Sequence, residues 1–217
     1  MARVFSKKQI ERYASPQRIA ALGRQVTETL NAHPRVQWLE DCDLLIDMID
    51  SDSQPSTLYE GTEREGYRTS YSCNVDPNDP DIRRIDKTIC DLMGLPQSHS
   101  EVLQGQRYQV GQQFKDHHDY FHETEKYWEY EGPNGGQRTW TAMAYLNEPE
   151  KGGATAFPQL QYQVEPRRGM LLIWNNMSRD GKPNIDTLHA GTAVEQGAKY
   201  IITKWFRLNE WQKAWVR

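Results

Sequence analysis

The stretch FKDHHDYFH, Phe114 to His122, holds three of the chain's six histidines and two aspartates within nine residues. Its backbone conformation decides which of these side chains can share a metal. A helix would put His118 and His122 four apart on one face, so that HDYFH becomes a variant of the zinc-hydrolase pattern HExxH with Asp119 in place of glutamate. A strand instead puts His117 and Asp119 on one face and turns His118 away. Two observations disfavour the helix. Aspartate is shorter than glutamate and would withdraw the general base from its water. Gly111 also lies just upstream, and no run of strong helix formers leads in. The longer run RYQVGQQFKDHHDYF begins as a plausible strand and carries a β-favouring aromatic at Phe114. The strand reading follows, with His117 and Asp119 as a candidate pair and His118 and His122 as unliganded polar residues.

Two protein ligands do not make a secure site. His189, in DTLHAGTAVEQGAKYIITKW, is the only histidine after His122, so it is the third ligand if a facial site exists. Two imidazoles and one carboxylate leave coordination positions open, as non-haem Fe(II) enzymes require when they bind a chelating cosubstrate and then O₂. A structural zinc site would be closed by four protein ligands.

The surroundings of the cluster suggest a fold class. SPQRIAALGRQVTETLNAH, WLEDCDLLIDMIDS and DIRRIDKTICDLMGL carry apolar residues at helical spacing, and the last is ended by Gly94 and Pro96. EVLQGQRYQV, TWTAMAYLNE, GMLLIWNN and KYIITKWFRLN are short β-favouring runs, separated by the turn signals GPNGG, EKGG, PRRG and EQG. Helices first and many short strands afterwards predict an α+β, mainly β domain with helical support, not alternating βαβ units. A single domain over 1–217 is expected, with 1–98 mostly helical support and 99–210 the strand-rich core.

Bulk composition narrows the partners. The 217 residues are 37% hydrophobic and 26% charged, with seven Trp and eleven Tyr, as in a folded protein. A formal charge of −4 and a pI near 5.9 argue against nucleic acid or an acidic membrane as the main partner. Mean hydropathy is −0.86, no apolar run is long enough to cross a membrane, and MARVFSKKQI has no secretion-signal pattern. Cys42, Cys73 and Cys90 are widely spaced and form no CxxC pair, which suits a reducing cytoplasm.

With these motifs assembled, the chain resembles the prolyl 4-hydroxylase family of Fe(II)/2-oxoglutarate dioxygenases. The resemblance rests on YxxGxxFxxHxD at Tyr108 to Asp119, YLNEPEKGGATAFP at Tyr145 to Pro158, the distal His189, and KYIITKW with Lys199 ten residues beyond it. It covers about Glu101 to Arg207, roughly half of the chain. It implies a double-stranded β-helix, or jelly-roll, core with helices outside one sheet and iron held by His117, Asp119 and His189. It also implies that Lys199 pairs with the remote carboxylate of 2-oxoglutarate, that Tyr108 and Thr141 offer hydroxyl contacts to this cosubstrate, and that Trp205 lines the pocket. The implied reaction takes Fe(II), 2-oxoglutarate and O₂, with ascorbate as reductant, and hydroxylates a prolyl residue of a peptide or protein.

Substrate contacts carry a fainter echo. YRTSYS resembles a family strand in which Arg68 and Ser70 face the peptide, and Glu101 and Arg138 are polar candidates near the mouth. HETEKYWEYEGPNGGQR departs from the family pattern. Tyr127, Trp128 and Tyr130 within it either form a platform for a proline-containing peptide or bury their own rings in a surface loop. A hydroxylase of a free amino acid or of a non-proline residue, and a jelly-roll metal-binding module without catalysis, are the alternative readings. The oligomeric state is not legible; Trp211 and Trp215 can pack within or between chains.

Overall fold

The protein is described from a computed structural model, over residues 35–59, 65–178 and 180–211. The helix expected over 15–33 and Trp215 lie outside these residues. Helix α1 (Arg35–Asp52) leads into the short strand β1 (Gln54–Pro55) and then β2 (Tyr71–Asn74). Helix α2 (Pro80–Met93) precedes β3 (Gln104–Tyr108) and β4 (Phe114–His117), and a single helical turn, α3 (Trp128–Glu131), precedes β5 (Arg138–Tyr145). There follow β6 (Lys151–Gly152), β7 (Thr155–Phe157), β8 (Tyr162–Val164), β9 (Leu171–Asn175), β10 (His189–Gly191), β11 (Val194–Gln196) and β12 (Lys199–Arg207).

The helices form where the sequence pattern places them. α1 buries Cys42, Leu45 and Ile49, spaced three and four apart, so one stripe faces the protein. α2 starts on Asp79, whose carboxylate accepts from the backbone N–H groups of Asp81 and Ile82 at 2.8 and 3.2 Å, with Pro80 as its first residue. It ends at Gly94, whose φ of 62° makes the left-handed turn that stops a helix at little steric cost to glycine. Ile82, Ile85 and Ile89 form its buried stripe. Among the described residues, no helix is long and apolar enough to cross a membrane.

β strands make up most of the rest. One sheet has six strands in the order β1-β2-β3-β12-β5-β9, a second has four in the order β4-β10-β7-β8, and β11 pairs with β6. The two larger sheets face one another across a cavity lined by residues from both, as a jelly roll requires. β12 is central, antiparallel to β3 on one side and to β5 on the other. The period-two rule sorts its side chains. Lys199, Ile201, Thr203 and Trp205 line the cavity, while Tyr200, Ile202 and Phe206 pack with α1 and α2 on the opposite face.

Each buried Leu or Ile of that outer layer contributes roughly 1.5–3 kcal/mol. Packing is tightest at Gly105 on β3, where an added Cβ would lie 2.4 Å from Cγ1 of Ile49. Lys204 is the exception on this face. It is buried, ion-paired with Asp86 of α2, and donates to the backbone oxygen of Glu101 at 2.6 Å. A buried charge needs such a partner, and the pair ties α2 to the segment that enters β3.

Candidate active site

The histidine cluster folds as a strand only as far as His117; His118 lies beyond the strand and Asp119 sits in a bend. The shared-face argument therefore holds for the start of the cluster, and the bend carries Asp119 to the same centre. β4 and β10 are antiparallel with His117 opposite His189, so sheet register sets the two imidazoles side by side, ring centroids 4.2 Å apart and planes tilted by 52°. Ligand atoms of His117, Asp119 and His189 all lie within 4.8 Å of one another. His118, half-buried, and His122, exposed, are outside this group.

The protonation of the triad suits a metal. Nδ1 of His117 lies 2.7 Å from the carbonyl oxygen of Lys115, and Nδ1 of His189 lies 2.9 Å from that of Thr187. A carbonyl can only accept, so each Nδ1 carries a hydrogen, which leaves Nε2 as the ligand atom each ring can offer the centre. Burial, aided by the facing His189, pushes the His117 imidazole down to about 3, so it is neutral at ordinary pH. Burial pushes the Asp119 carboxyl up, but His189, His117, Arg138 and the Thr141 hydroxyl outweigh it and hold the group below the usual carboxylate range. A neutral imidazole and an ionised carboxylate are the forms that bind a divalent cation.

The cavity beside the triad has a volume of about 950 Å³. Lys199 stands on its wall, 1% exposed, directly across the sheet from Tyr108. Its Nζ donates to the carbonyl oxygen of Gly153 at 2.9 Å and lies 4.5 Å from the centre of the Tyr108 ring. Among the described residues no carboxylate pairs with it, and burial alone pushes its pKa down to about 7. A buried ammonium so placed is a ready receptor for an anion. Tyr108, 2% exposed, donates its hydroxyl to Oε1 of Gln106 at 2.8 Å.

Three expected contacts fall elsewhere. Thr141, fully buried and outside the cavity lining, donates its hydroxyl to Oδ2 of Asp119 at 2.6 Å. Ser70 is 2% exposed and outside the cavity lining; its Oγ bonds Ser56 at 2.9 Å and supports Arg68. Trp128 is turned out of the cavity because α3 winds it back over Gly132 and Phe121, whereas Tyr127 stays in the lining.

The other candidates do line the cavity. Arg138 and Glu101 form a two-bond ion pair at 2.6 and 2.7 Å, with the guanidinium 4.0 Å from the Trp205 ring and 4.8 Å from that of Phe121. Arg68 donates to Gln104 at 3.0 Å and to the Thr57 carbonyl at 3.2 Å, and lies over Phe114. Trp205 is 8% exposed, and its indole N–H has no partner among the described residues.

The segment after Asp119 partly buries its own rings. Gln137 clasps Phe121 with one bond each way, at 2.8 and 2.9 Å, and buried Glu131 is ion-paired with Arg207. Tyr59 donates to Glu131 at 2.9 Å and stacks on Tyr127, ring centroids 4.6 Å apart, which closes one side of the mouth.

Sequence reasoning missed Gln106, Trp174 and Tyr59. Gln106 is two residues before Tyr108 on one strand and so shares its face, a signal that was present. Trp174 in GMLLIWNN lines the cavity with its indole N–H unpartnered among the described residues, and no local signal marks that. Tyr59 reaches the mouth only through tertiary packing.

A jelly roll that gathers two imidazoles and a carboxylate at one centre, with a buried lysine beside them that no carboxylate among the described residues pairs, defines an Fe(II)- and 2-oxoglutarate-dependent dioxygenase. Comparison with known proteins agrees: the profile of the 2OG-Fe(II) oxygenase superfamily matches residues 103–207. The chain is 31% identical over 234 residues to "Probable prolyl 4-hydroxylase 3" of Arabidopsis thaliana, covering 93% of this chain and 80% of that protein. It is 31% identical over 199 residues to "Probable prolyl 4-hydroxylase 10" of the same plant, covering 80% of this chain and 66% of that protein. The crystal structure of the viral collagen prolyl hydroxylase of Paramecium Bursaria Chlorella virus-1 with 2OG superposes with a TM-score of 0.61 at 26% identity, covering 78% of this chain and 90% of that one. The chain belongs to the prolyl 4-hydroxylase family of Fe(II)/2-oxoglutarate dioxygenases.

Proposed function

We propose that the protein hydroxylates prolyl residues of a peptide or protein to 4-hydroxyproline, releasing succinate and CO₂, with ascorbate as reductant. The observation that carries the cosubstrate half of this reading is Lys199, buried beside the triad with no carboxylate among the described residues paired to it. When bound, Fe(II) with 2-oxoglutarate and O₂ supplies oxidative decarboxylation of the cosubstrate and insertion of an oxygen atom into a C–H bond.

The chain's own residues position and shield the reactants. His117, Asp119 and His189 hold the metal and leave positions open for the cosubstrate. Lys199 receives the remote carboxylate, which restores the charge balance of a buried ammonium. The Tyr108 hydroxyl, now directed at Gln106, turns to donate to the same ligand. Thr141 keeps the Asp119 carboxylate in place.

A peptide substrate is supported by the lining of the mouth. The cavity is bordered by Tyr59, Tyr67, Tyr127, Trp205 and Trp211. Aromatic-lined grooves suit extended proline-containing chains, whose rings stack without loss of much conformational freedom. Arg138 and Arg68 border it with N–H groups suited to peptide carbonyls.

The test is incubation with a library of proline-containing peptides, Fe(II), 2-oxoglutarate and ascorbate, read by mass for one added oxygen atom and by the position of the hydroxyl on the ring. Free proline is the comparison substrate. Succinate release with the oxygen found on free proline, or on a residue other than proline, would overturn the substrate assignment. A His117→Ala enzyme as active as the parent would overturn the metal site.

A further inference from the structure

GMLLIWNN closes on two asparagines, Asn175 as the last residue of β9 and Asn176 just after it, that neither the triad nor the groove requires directly. Asn176 is 3% exposed. Its Nδ2 donates to the Thr141 hydroxyl oxygen at 2.8 Å, and that hydroxyl donates to Oδ2 of Asp119 at 2.6 Å. The backbone of Asn176 is fixed on both sides: its N–H donates to the Thr139 carbonyl at 2.9 Å, and its own carbonyl accepts from the Asn184 N–H at 2.9 Å. A hydroxyl carries one proton. With an amide N–H directed into its oxygen, the Thr141 hydroxyl is set to direct that proton at Asp119.

The preceding residue serves the other end of the triad. The Thr187 hydroxyl proton is shared between the backbone oxygens of Asn175 at 2.9 Å and Asn184 at 3.0 Å, and the Thr187 carbonyl lies 2.9 Å from Nδ1 of His189. Hydrogen bonds thus link both Asp119 and His189, whose Oδ2 and Nε2 lie 3.8 Å apart, to two neighbouring residues at the end of β9.

We infer that Asn176 is a positioning residue of the metal centre, acting through the direction of the Thr141 hydroxyl to hold the Asp119 carboxylate against rotation. The inference rests on the metal-binding reading of the triad. Partners of this kind to metal ligands change metal affinity by about 10- to 100-fold when removed.

Co(II) alone, titrated calorimetrically into the full chain, tests this without turnover. Asn176→Asp is close in shape but replaces the donor with an acceptor, so the Thr141 proton turns to the new carboxylate and leaves Asp119. Co(II) binding should weaken by about 10-fold or more. A role through the local field alone predicts the opposite sign, because an added negative charge near the centre would tighten a cation. Asn176→Leu and Thr141→Val should each weaken binding, with the double variant no weaker than the weaker single one, and Thr141→Ser should restore it. The two single variants are independent, so a folding defect in one, seen by thermal unfolding, leaves the other as the test.

Unchanged or tighter Co(II) binding in folded Asn176→Asp, or additive losses in the double variant, would overturn the inference. A parent protein that does not bind Co(II), or a His117→Ala variant that binds it equally well, would overturn the metal-site reading and this inference with it.

Discussion

His117 and His189 are direct cross-strand partners of β4 and β10, their ring centroids 4.2 Å apart. The centre is therefore built into sheet pairing, and His118 and His122 are excluded from it by the same geometry. His117→Ala and His189→Ala should each lower Fe(II) affinity by more than the roughly 100-fold that loss of an outer partner costs. His118→Ala and His122→Ala should leave it unchanged. Anaerobic Fe(II) titration checks both, and a loss at His122 equal to that at His117 would restore the HExxH-like reading.

Lys199 gives the cosubstrate a pH signature. Its ammonium is depressed from 10.5 to about 7 in the free site, and a carboxylate partner raises it again. Above pH 7 the lysine must take up a proton to bind 2-oxoglutarate, so affinity should fall as pH rises. Lys199→Arg, charged throughout, should lack that slope. Calorimetry in two buffers of different ionisation heat checks the proton uptake; a pH-independent affinity in the parent would refute it.

The same residue affects stability in the opposite direction. Between about 7 and 10.5 the unfolded chain binds more protons at this lysine than the folded one does. Stability of the cosubstrate-free protein should therefore rise with pH through that window as far as this group contributes. Lys199→Met should flatten that contribution, raise the unfolding temperature near neutrality, and abolish 2-oxoglutarate binding. A lower unfolding temperature at pH 7 would contradict the depressed pKa.

Glu101 and Arg138 test the mouth. Their side chains are each 13% exposed and joined by two bonds. Glu101→Gln leaves the guanidinium without its counter-charge, and loss of one partner of a buried pair costs about 3–5 kcal/mol, with the lower end expected at this partial exposure. Denaturant unfolding measures it. Peptide KM should rise while 2-oxoglutarate KM holds; equal changes in both would place the pair in the wrong pocket.

Gly105 tests the outer layer alone. Gly105→Ala drives a methyl group to within 2.4 Å of Ile49, and overpacking of this kind costs about 1–3 kcal/mol. The loss should appear in the denaturation midpoint, with 2-oxoglutarate affinity intact because the methyl group points away from the cavity.

Much of this was legible because it obeys local periodicity. The stripes of α1 and α2, the Asp79 and Gly94 ends of α2, and the alternation of β12 all follow from residue spacing. The HxD pair, the last histidine and the lysine beyond it come to one cavity because strand pairing joins distant segments in register. What was not legible depends on distances across the sheets. Thr141 lies on the cavity-facing register of β5, as its position suggests, but only the fold shows that Asp119 receives its hydroxyl. Ser70 and Trp128 have plausible positions in the sequence, yet a contact with Ser56 and a single helical turn take them out of the lining. The strand also stops at His117, two residues short of the ligand it was expected to carry.

β12 has a further consequence for anyone who wishes to alter this catalyst. Its odd-numbered side chains, Ile201, Thr203 and Trp205, border the reaction chamber, and its even-numbered ones, Ile202 and Phe206, are packed against the helical scaffold. Selectivity and robustness are thus encoded on one strand in alternating letters. A combinatorial library confined to 201, 203 and 205 samples new substrates against an almost constant chassis, whereas inserting one residue within β12 would exchange the two alphabets and erase both.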